Sequence, residues 1–279
     1  MSALGGWRPS PLLVRILSGA AMLLGIIGLL YLGLVGIYVL IAIIGGTGLW
    51  EFRGLSEKLG YRAPLWLLFP LGAFFALSGT VLRWADVELV LALALVLGLG
   101  AFLFLPTRRE GLGGWAMGLA GALYLGAPFN FFLLLYTSRP AAHGLPWVLF
   151  TVLGVVASDA AGLLVGSRIG RHPFFPAVSP KKTVEGAAAG LVAAVLVMTV
   201  GGFGILGLKL WQSIVLGLLV GTGALLGDLV ESQMKRLAGV KDSSALIPGH
   251  GGVLDRVDSI LFPPILVYAF AVLAGLIAR

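Results

Sequence analysis

The chain has 279 residues, 59% of them hydrophobic and 11% charged, with a mean hydropathy of +1.04 and a formal net charge of +7. Soluble domains carry about a quarter charged residues, so this composition excludes one and describes an all-α, polytopic integral membrane protein. The hydrophobicity also outweighs any reading of the basic excess as nucleic-acid binding, the absence of cysteine excludes disulfides, thiolate nucleophiles and cysteine metal sites, and three histidines exclude a histidine-rich metal cage.

A spanning helix needs roughly 20 apolar residues. Segments that meet this lie near 12–30, 32–50, 64–82, 88–106, 112–135, 146–166, 187–207, 211–229 and 259–277, which predicts nine transmembrane helices. Arg8 and Arg15 precede the first run as in a signal peptide, but the run is longer than a signal core and more spans follow at once. A retained first helix is expected. The first two runs are joined so tightly that they form a hairpin or one kinked element, and Pro64 and Pro70 sit early in the third. With the N-terminus cytoplasmic, fifteen of the nineteen basic residues fall inside and only Arg83, Arg139, Lys209 and Arg279 outside. The positive-inside rule therefore predicts N-in and C-out. The two polar loops, 168–185 and 231–258, are then both cytoplasmic, and the expected location is the inner (cytoplasmic) membrane with the site facing the cytoplasm. Residues 1–135 read as scaffold helices and residues 136–279 as the catalytic region. No inverted repeat of broken helices is visible, which argues against a cation-coupled transporter.

Charge inside an apolar chain is expensive and marks candidate chemistry. It concentrates between Gly227 and Ser259. Asp228, Glu231 and Lys235 are spaced three and four apart, on one helical face. Asp255 and Asp258 repeat the pattern before the last apolar run. Carboxylates flanking one loop suit a hard divalent cation, with Asp228 and Asp255 as ligands and Glu231 and Asp258 as ligands or supports. The plainer alternatives are an ion pair of Asp228 with Lys235 or Arg236, and ordinary N-terminal helix acids at 255 and 258. Between them, Pro248-Gly249-His250-Gly251-Gly252 forms a turn whose glycines free backbone amides to cradle phosphate. His250 could donate to phosphate, move a proton or hold the loop; Lys241 and Asp242 add a point charge and small polar groups nearby.

A second cluster, Ser179-Pro180-Lys181-Lys182-Thr183-Val184-Glu185-Gly186, places adjacent lysines and hydroxyls at a helix start, which describes a polyphosphate site. Snorkelling lysines are the alternative, with Glu185 pairing to Lys182 across a turn. The third element is Ser158-Asp159 inside the sixth apolar run, with Gly162 and Gly166 on the same face.

These motifs resemble the phosphatidate cytidylyltransferase family, the CDP-diacylglycerol synthases. The resemblance rests on Ser232-Gln233-Met234-Lys235-Arg236, Lys241-Asp242-Ser243 and the run from His250 to Asp258 through Arg256. The S-P-K-K-T-x-E-G element and the Ser-Asp in a helix match as well. It covers roughly the second half of the chain. Ala160, Ala161 and Gly162 stand where the family often has threonine and an aromatic-rich run, and Val184 where it has a bulkier residue. The resemblance implies an enzyme that joins CTP and phosphatidate into CDP-diacylglycerol and pyrophosphate, with Mg²⁺ and a second, monovalent cation such as K⁺. It implies a metal role for Asp228 and Asp255. Substrate or catalytic support falls to Asp159, Lys182, Glu231, Lys235, Arg236, Asp242, His250 and Asp258. Among the residues of the matching motifs, Ser158, Ser179, Lys181, Thr183, Lys241, Gly251, Gly252 and Arg256 are taken as substrate contacts. The expected partners are these substrates and membrane lipid, and the glycine-rich faces permit a homodimer. A nucleotidyltransferase for an ether-linked lipid phosphate is the alternative that the motif leaves open.

Overall fold

A computed structural model describes residues 10–81, 84–101, 109–138 and 144–277. Its elements are α1 (Pro11–Leu30), α2 (Leu34–Lys58), α3 (Leu65–Val81), α4 (Trp84–Ala101), α5 (Arg109–Tyr136), α6 (Gly144–Ile169), α7 (Val184–Gly204), α8 (Leu210–Leu237), α9 (Leu254–Leu261) and α10 (Pro263–Leu273). Arg8, Arg83, Arg108, Arg139 and Arg279, which enter the topology argument, lie outside the described residues.

Each apolar segment expected from the sequence coincides with a helix, or with the α9–α10 pair. Among the described residues six stretches are long and apolar enough to cross a bilayer: α2, Gly111–Tyr136 of α5, α6, α7, α8 and Leu254–Leu273. The apolar parts of α3 and α4 are shorter, Leu65–Gly79 and Val87–Gly98. The first two helices are joined by the turn 31–33, with Gly33 at φ +61°. Pro70 lies inside α3 without ending it.

Two helices run past their apolar segments. α2 continues through Glu51 and Arg53 to Lys58, and α8 continues through Glu231 and Lys235 to Leu237. At 1.5 Å per residue α8 is about 42 Å long, about 12 Å more than a hydrocarbon core, so its charged last turns project from the apolar zone. The polar loop expected at 231–258 is therefore shorter, spanning 238–253. Conversely the last apolar run starts earlier than expected, at Leu254, and is broken at Phe262, where Pro263 and Pro264 open α10. Proline lacks the amide hydrogen that a continuous helix would need there, but fits a first turn.

Helix pairs α6–α7, α7–α8 and α3–α5 make the broadest contacts. The first two depend on small residues that let backbones approach. A Cβ added to Gly186 would lie 2.7 Å from the carbonyl oxygen of Gly162, and one added to Gly217 would lie 2.4 Å from the Cα of Val195. One apolar core joins Trp147, Val155, Met198, Leu216, Val220 and Val267 from α6, α7, α8 and α10. A second joins Leu49, Phe52, Leu68, Phe75 and Leu125 of α2, α3 and α5 to Leu254, Val257 and Leu261 of α9. The two halves of the chain thus interlock through α9. Large apolar side chains such as Leu163, Leu196, Val200 and Leu273 face outward, as lipid-facing surfaces require.

Candidate active site

α8 and α9 meet at Gly227, where a Cβ would come within 2.2 Å of the Asp258 carbonyl oxygen. This contact brings Asp228 and Asp258 to one place. Thr183 caps α7, its hydroxyl accepting from the Gly186 amide at 3.2 Å, and this cap presents Lys182 to the same region. Lys182 Nζ stands 2.6 Å from Asp228 Oδ2, and Ser232 Oγ donates to Asp228 Oδ1 at 3.1 Å. Asp228 thus pairs with a lysine from another loop, and not with Lys235 or Arg236.

Lys235 has different partners. Its ammonium lies between Glu231, one turn back on α8, and Asp255 Oδ1 at 2.5 Å. Glu231 is fully buried and Lys235 nearly so. An ion pair this well covered is worth little net, but removing one member strands a charge. The Lys182–Asp228 pair keeps 21% and 28% of its side chains exposed, so it adds about 0–1 kcal/mol and mainly sets geometry.

The loop 238–253 is organised by two carboxylates. Asp255 Oδ2 accepts from the amides of Ser243 (2.9 Å) and Gly252 (2.8 Å) and from Ser243 Oγ (2.8 Å). Glu51, reaching in from α2 and only 4% exposed, accepts from Ser244 Oγ and the amides of Val253 and Leu254 at 2.6–2.9 Å, and its Oε2 lies 3.0 Å from Ser243 Oγ, whose single proton it shares with Asp255. Gly249 and Gly251, at φ +75° and +82°, turn the chain so that the Ile247 amide reaches the Gly251 carbonyl at 2.8 Å. Arg256 clamps the same turn, donating twice to the His250 carbonyl at 3.0 and 2.7 Å.

These groups surround a cavity of about 450 Å³. Its wall carries Ser158 and Asp159 of α6, Lys181, Lys182 and Thr183, Asp228 and Lys235 of α8, and Asp242, Asp255, Arg256 and Asp258. Its inner end is lined by Gly190, Gly221 and Leu225 with Ser158 beside Gly190, and Leu163 lies nearer the rim on α6. Gly221 is seven residues before Asp228 on α8, so the cavity reaches about 10 Å into the helix bundle from the charged rim. Its lysine and arginine side chains can meet a polyanion, and its leucine and glycine surfaces can meet hydrocarbon.

Seven of the residues expected at the site do not line this cavity. Glu231 lies buried behind Lys235. Arg236 ties two loops together, donating to the carbonyls of Val178 (3.2 Å) and Val240 (3.4 Å). His250 Nδ1 sits 2.9 Å from Ser18 Oγ of α1. The Ser179 carbonyl accepts from the Lys182 amide at 3.1 Å. Gly251 and Gly252 are backbone of the turn just described, and Lys241 is exposed on the loop. Glu185 does not pair with Lys182 across a turn; it contacts His172 Nδ1 at 2.5 Å and accepts from the amides of Arg171 and His172. Glu51 was not expected at all. It sits in the supposed scaffold half, on a helix stretch with no motif around it.

Among the described residues no group of three or more His, Cys, Asp or Glu is placed to hold a metal on its own. Mg²⁺ asks for less: one or two carboxylates, the rest of its shell being water and substrate phosphate. Asp228 and Asp258, adjacent on touching helices and facing the cavity, meet that requirement. Asp255 lines the same cavity, and it and Asp228 both have their two oxygens in contact with protein donors, Lys235, Ser243 and Gly252 for the first and Lys182 and Ser232 for the second.

An all-α membrane bundle around a cavity walled by lysine, arginine and carboxylate side chains, with a less polar inner end, is the class of protein that the fold and the site define. The sequence pattern of the cytidylyltransferase family matches residues 13–274. A phosphatidate cytidylyltransferase of Mycobacterium bovis is 34% identical over 222 residues, covering 77% of this chain and 69% of the relative. One of Staphylococcus haemolyticus is 32% identical over 241 residues, covering 81% and 90%. The chloroplastic phosphatidate cytidylyltransferase 5 of Arabidopsis thaliana is 46% identical over 138 residues, covering 47% and 33%. The chain belongs to the phosphatidate cytidylyltransferase (CDP-diacylglycerol synthase) family, and it is a membrane-bound nucleotidyltransferase of lipid metabolism.

Proposed function

We propose that the chain transfers the cytidylyl group of CTP to phosphatidate, giving CDP-diacylglycerol and pyrophosphate, at the cytoplasmic face of the inner membrane. The observation that carries this reading is the cavity between α6, α7 and α8, whose charged rim suits a triphosphate and whose Gly190, Gly221, Leu225 and Leu163 surfaces suit a lipid. In the reaction a phosphate oxygen of phosphatidate attacks the α-phosphorus of CTP. The bond from that phosphorus to the oxygen bridging to the β-phosphorus breaks, and pyrophosphate leaves with the electron pair. The nucleophile is already an anion, so no serine or cysteine is needed. The obstacle is repulsion between anions, which positioned cations relieve.

Lys181 and Lys182, on the loop before α7, supply positive charge for the triphosphate, and Arg256 does so from the opposite wall. Lys235, fixed between Glu231 and Asp255, keeps the carboxylate-bearing segments of α8 and α9 in register. Asp228 would hold Mg²⁺ together with Asp255 and Asp258 of α9, with Asp159 the next carboxylate on the cavity wall. When bound, the ion supplies neutralisation of phosphate charge. The monovalent cation has no support beyond the family resemblance.

The gathering of the basic loops at one end supports the cytoplasmic sidedness. Glu51 near the end of α2 touches the 238–253 loop, and loops 170–183 and 238–253 share one cavity. The basic residues at that end are the ones assigned to the cytoplasm by the positive-inside rule, with Lys209 at the α7–α8 turn on the other side.

Purified protein in detergent, mixed with CTP, phosphatidate and Mg²⁺, is expected to release pyrophosphate and form CDP-diacylglycerol, and chelation is expected to stop both. Pyrophosphate release that does not depend on phosphatidate, or no release at all, overturns the proposal. Substituting a diether lipid phosphate in the same assay separates the two lipid classes.

A further inference from the structure

We propose that Glu51 is a positioning residue for this reaction, a buried carboxylate that clamps the 238–253 loop and the start of α9 and so fixes Asp255 and Asp258 against the cavity. The inference rests on the functional reading above, but the clamp itself is geometric. Each oxygen of Glu51 takes one backbone amide and lies against one serine hydroxyl. Oε1 accepts from Ser244 Oγ at 2.6 Å and the Val253 amide at 2.9 Å. Oε2 accepts from the Leu254 amide at 2.7 Å and lies 3.0 Å from Ser243 Oγ, sharing that hydroxyl's one proton with Asp255. The two amides belong to Val253, the N-cap of α9, and Leu254, its first residue, whose N–H groups have no acceptor inside the helix. A negative group there is also favoured by the helix dipole.

Only a carboxylate does this. A glutamine in the same place presents one acceptor oxygen and one NH₂ group, which would face an amide donor. The fit leaves no slack, since a Cβ on Gly252 would lie 2.0 Å from Ser243 Oγ and 2.6 and 2.7 Å from the two Glu51 oxygens. Ser243 Oγ also lies 2.8 Å from Asp255 Oδ2, so one hydroxyl links the clamp to the carboxylate on the cavity wall. Asp255 and Asp258 stand one and four residues beyond the clamped Leu254, on the same short helix. A loss of the clamp therefore reaches both.

The test compares wild type, Glu51→Gln and Glu51→Ala as full-length protein in detergent. It measures amide hydrogen exchange across residues 243–254 and steady-state pyrophosphate release. Glu51→Gln is expected to speed exchange in that segment by about tenfold or more while α6 and α7 stay as protected as in wild type. Turnover should fall about 10–100-fold, the size of effect that a misplacement of about 1 Å produces. The KM for CTP should move less than about threefold, because the lysines at 181 and 182 sit on the other loop. A general loss of structure would instead raise exchange throughout. Exchange in 243–254 equal to wild type, or a kcat within about twofold of it, overturns the proposal. If Glu51→Ala does not fold, Glu51→Gln, of the same size, decides alone. Wild-type protein inert toward CTP and phosphatidate overturns the functional reading, and the exchange comparison still decides the clamp.

Discussion

At the scale of single residues, two lysines that look alike in the sequence are bound in opposite ways. Lys182 is a partly exposed cation beside Asp228, and Lys235 a buried one between two carboxylates. Lys182→Met should change stability by no more than about 1 kcal/mol while lowering turnover and raising KM for CTP, read by thermal unfolding beside kinetics. Lys235→Met strands two buried carboxylates, and should cost about 3–5 kcal/mol before any kinetic effect is considered. Asp228→Asn and Asp258→Asn are each expected to cut turnover by about 10²–10³-fold with the helical circular dichroism unchanged. Wild-type rates in both would remove them from the site. Lys58→Ala, at the exposed end of α2, should leave rates within about twofold of wild type. Asp228, Lys182 and Asp258 were legible in the sequence because charge next to apolar runs is conspicuous. Glu51 was not, since its partners are two serines and two backbone amides 192 to 203 residues further on, which leave no spacing to read.

Among the elements, the helices were legible as apolar runs and their polar extensions were not. The last turns of α2 and α8 carry the charges that matter, and a hydrophobicity criterion stops short of both. The break between α9 and α10 had a visible cause in Pro263-Pro264, but the eight-residue α9 mixes charged and apolar positions and does not read as part of a span. The α6–α7 pair carries its own prediction. Gly186→Val would press a branched side chain into the Gly162 carbonyl, forcing the two helices apart beneath Asp159 and Lys182. Overpacking of this kind costs about 1–3 kcal/mol, so a lower unfolding temperature together with lost turnover is expected. An unchanged unfolding temperature would show that the helices do not pack this closely.

For the whole molecule, the absence of cysteine makes sidedness directly measurable. Single-cysteine proteins Lys241→Cys and Lys209→Cys, both at exposed positions, should react with a membrane-impermeant thiol reagent from opposite faces, the first from the cytoplasm and the second from outside. Labelling from the same face overturns the arrangement. The separation into a scaffold half and a catalytic half follows the distribution of motifs. The packing is less divided, because α9 buries Leu254, Val257 and Leu261 among α2, α3 and α5. The clamp at Glu51 also has a consequence in time. The residue is made about 200 residues before the loop it holds, and at about 5–20 residues per second that interval is about 10–40 s of synthesis. During biogenesis its carboxylate must wait, solvated by water at the membrane edge, until the final loop emerges. Insertion into the bilayer and the acquisition of activity are therefore separate events, and a chain arrested before Leu254 would be membrane-inserted but inert.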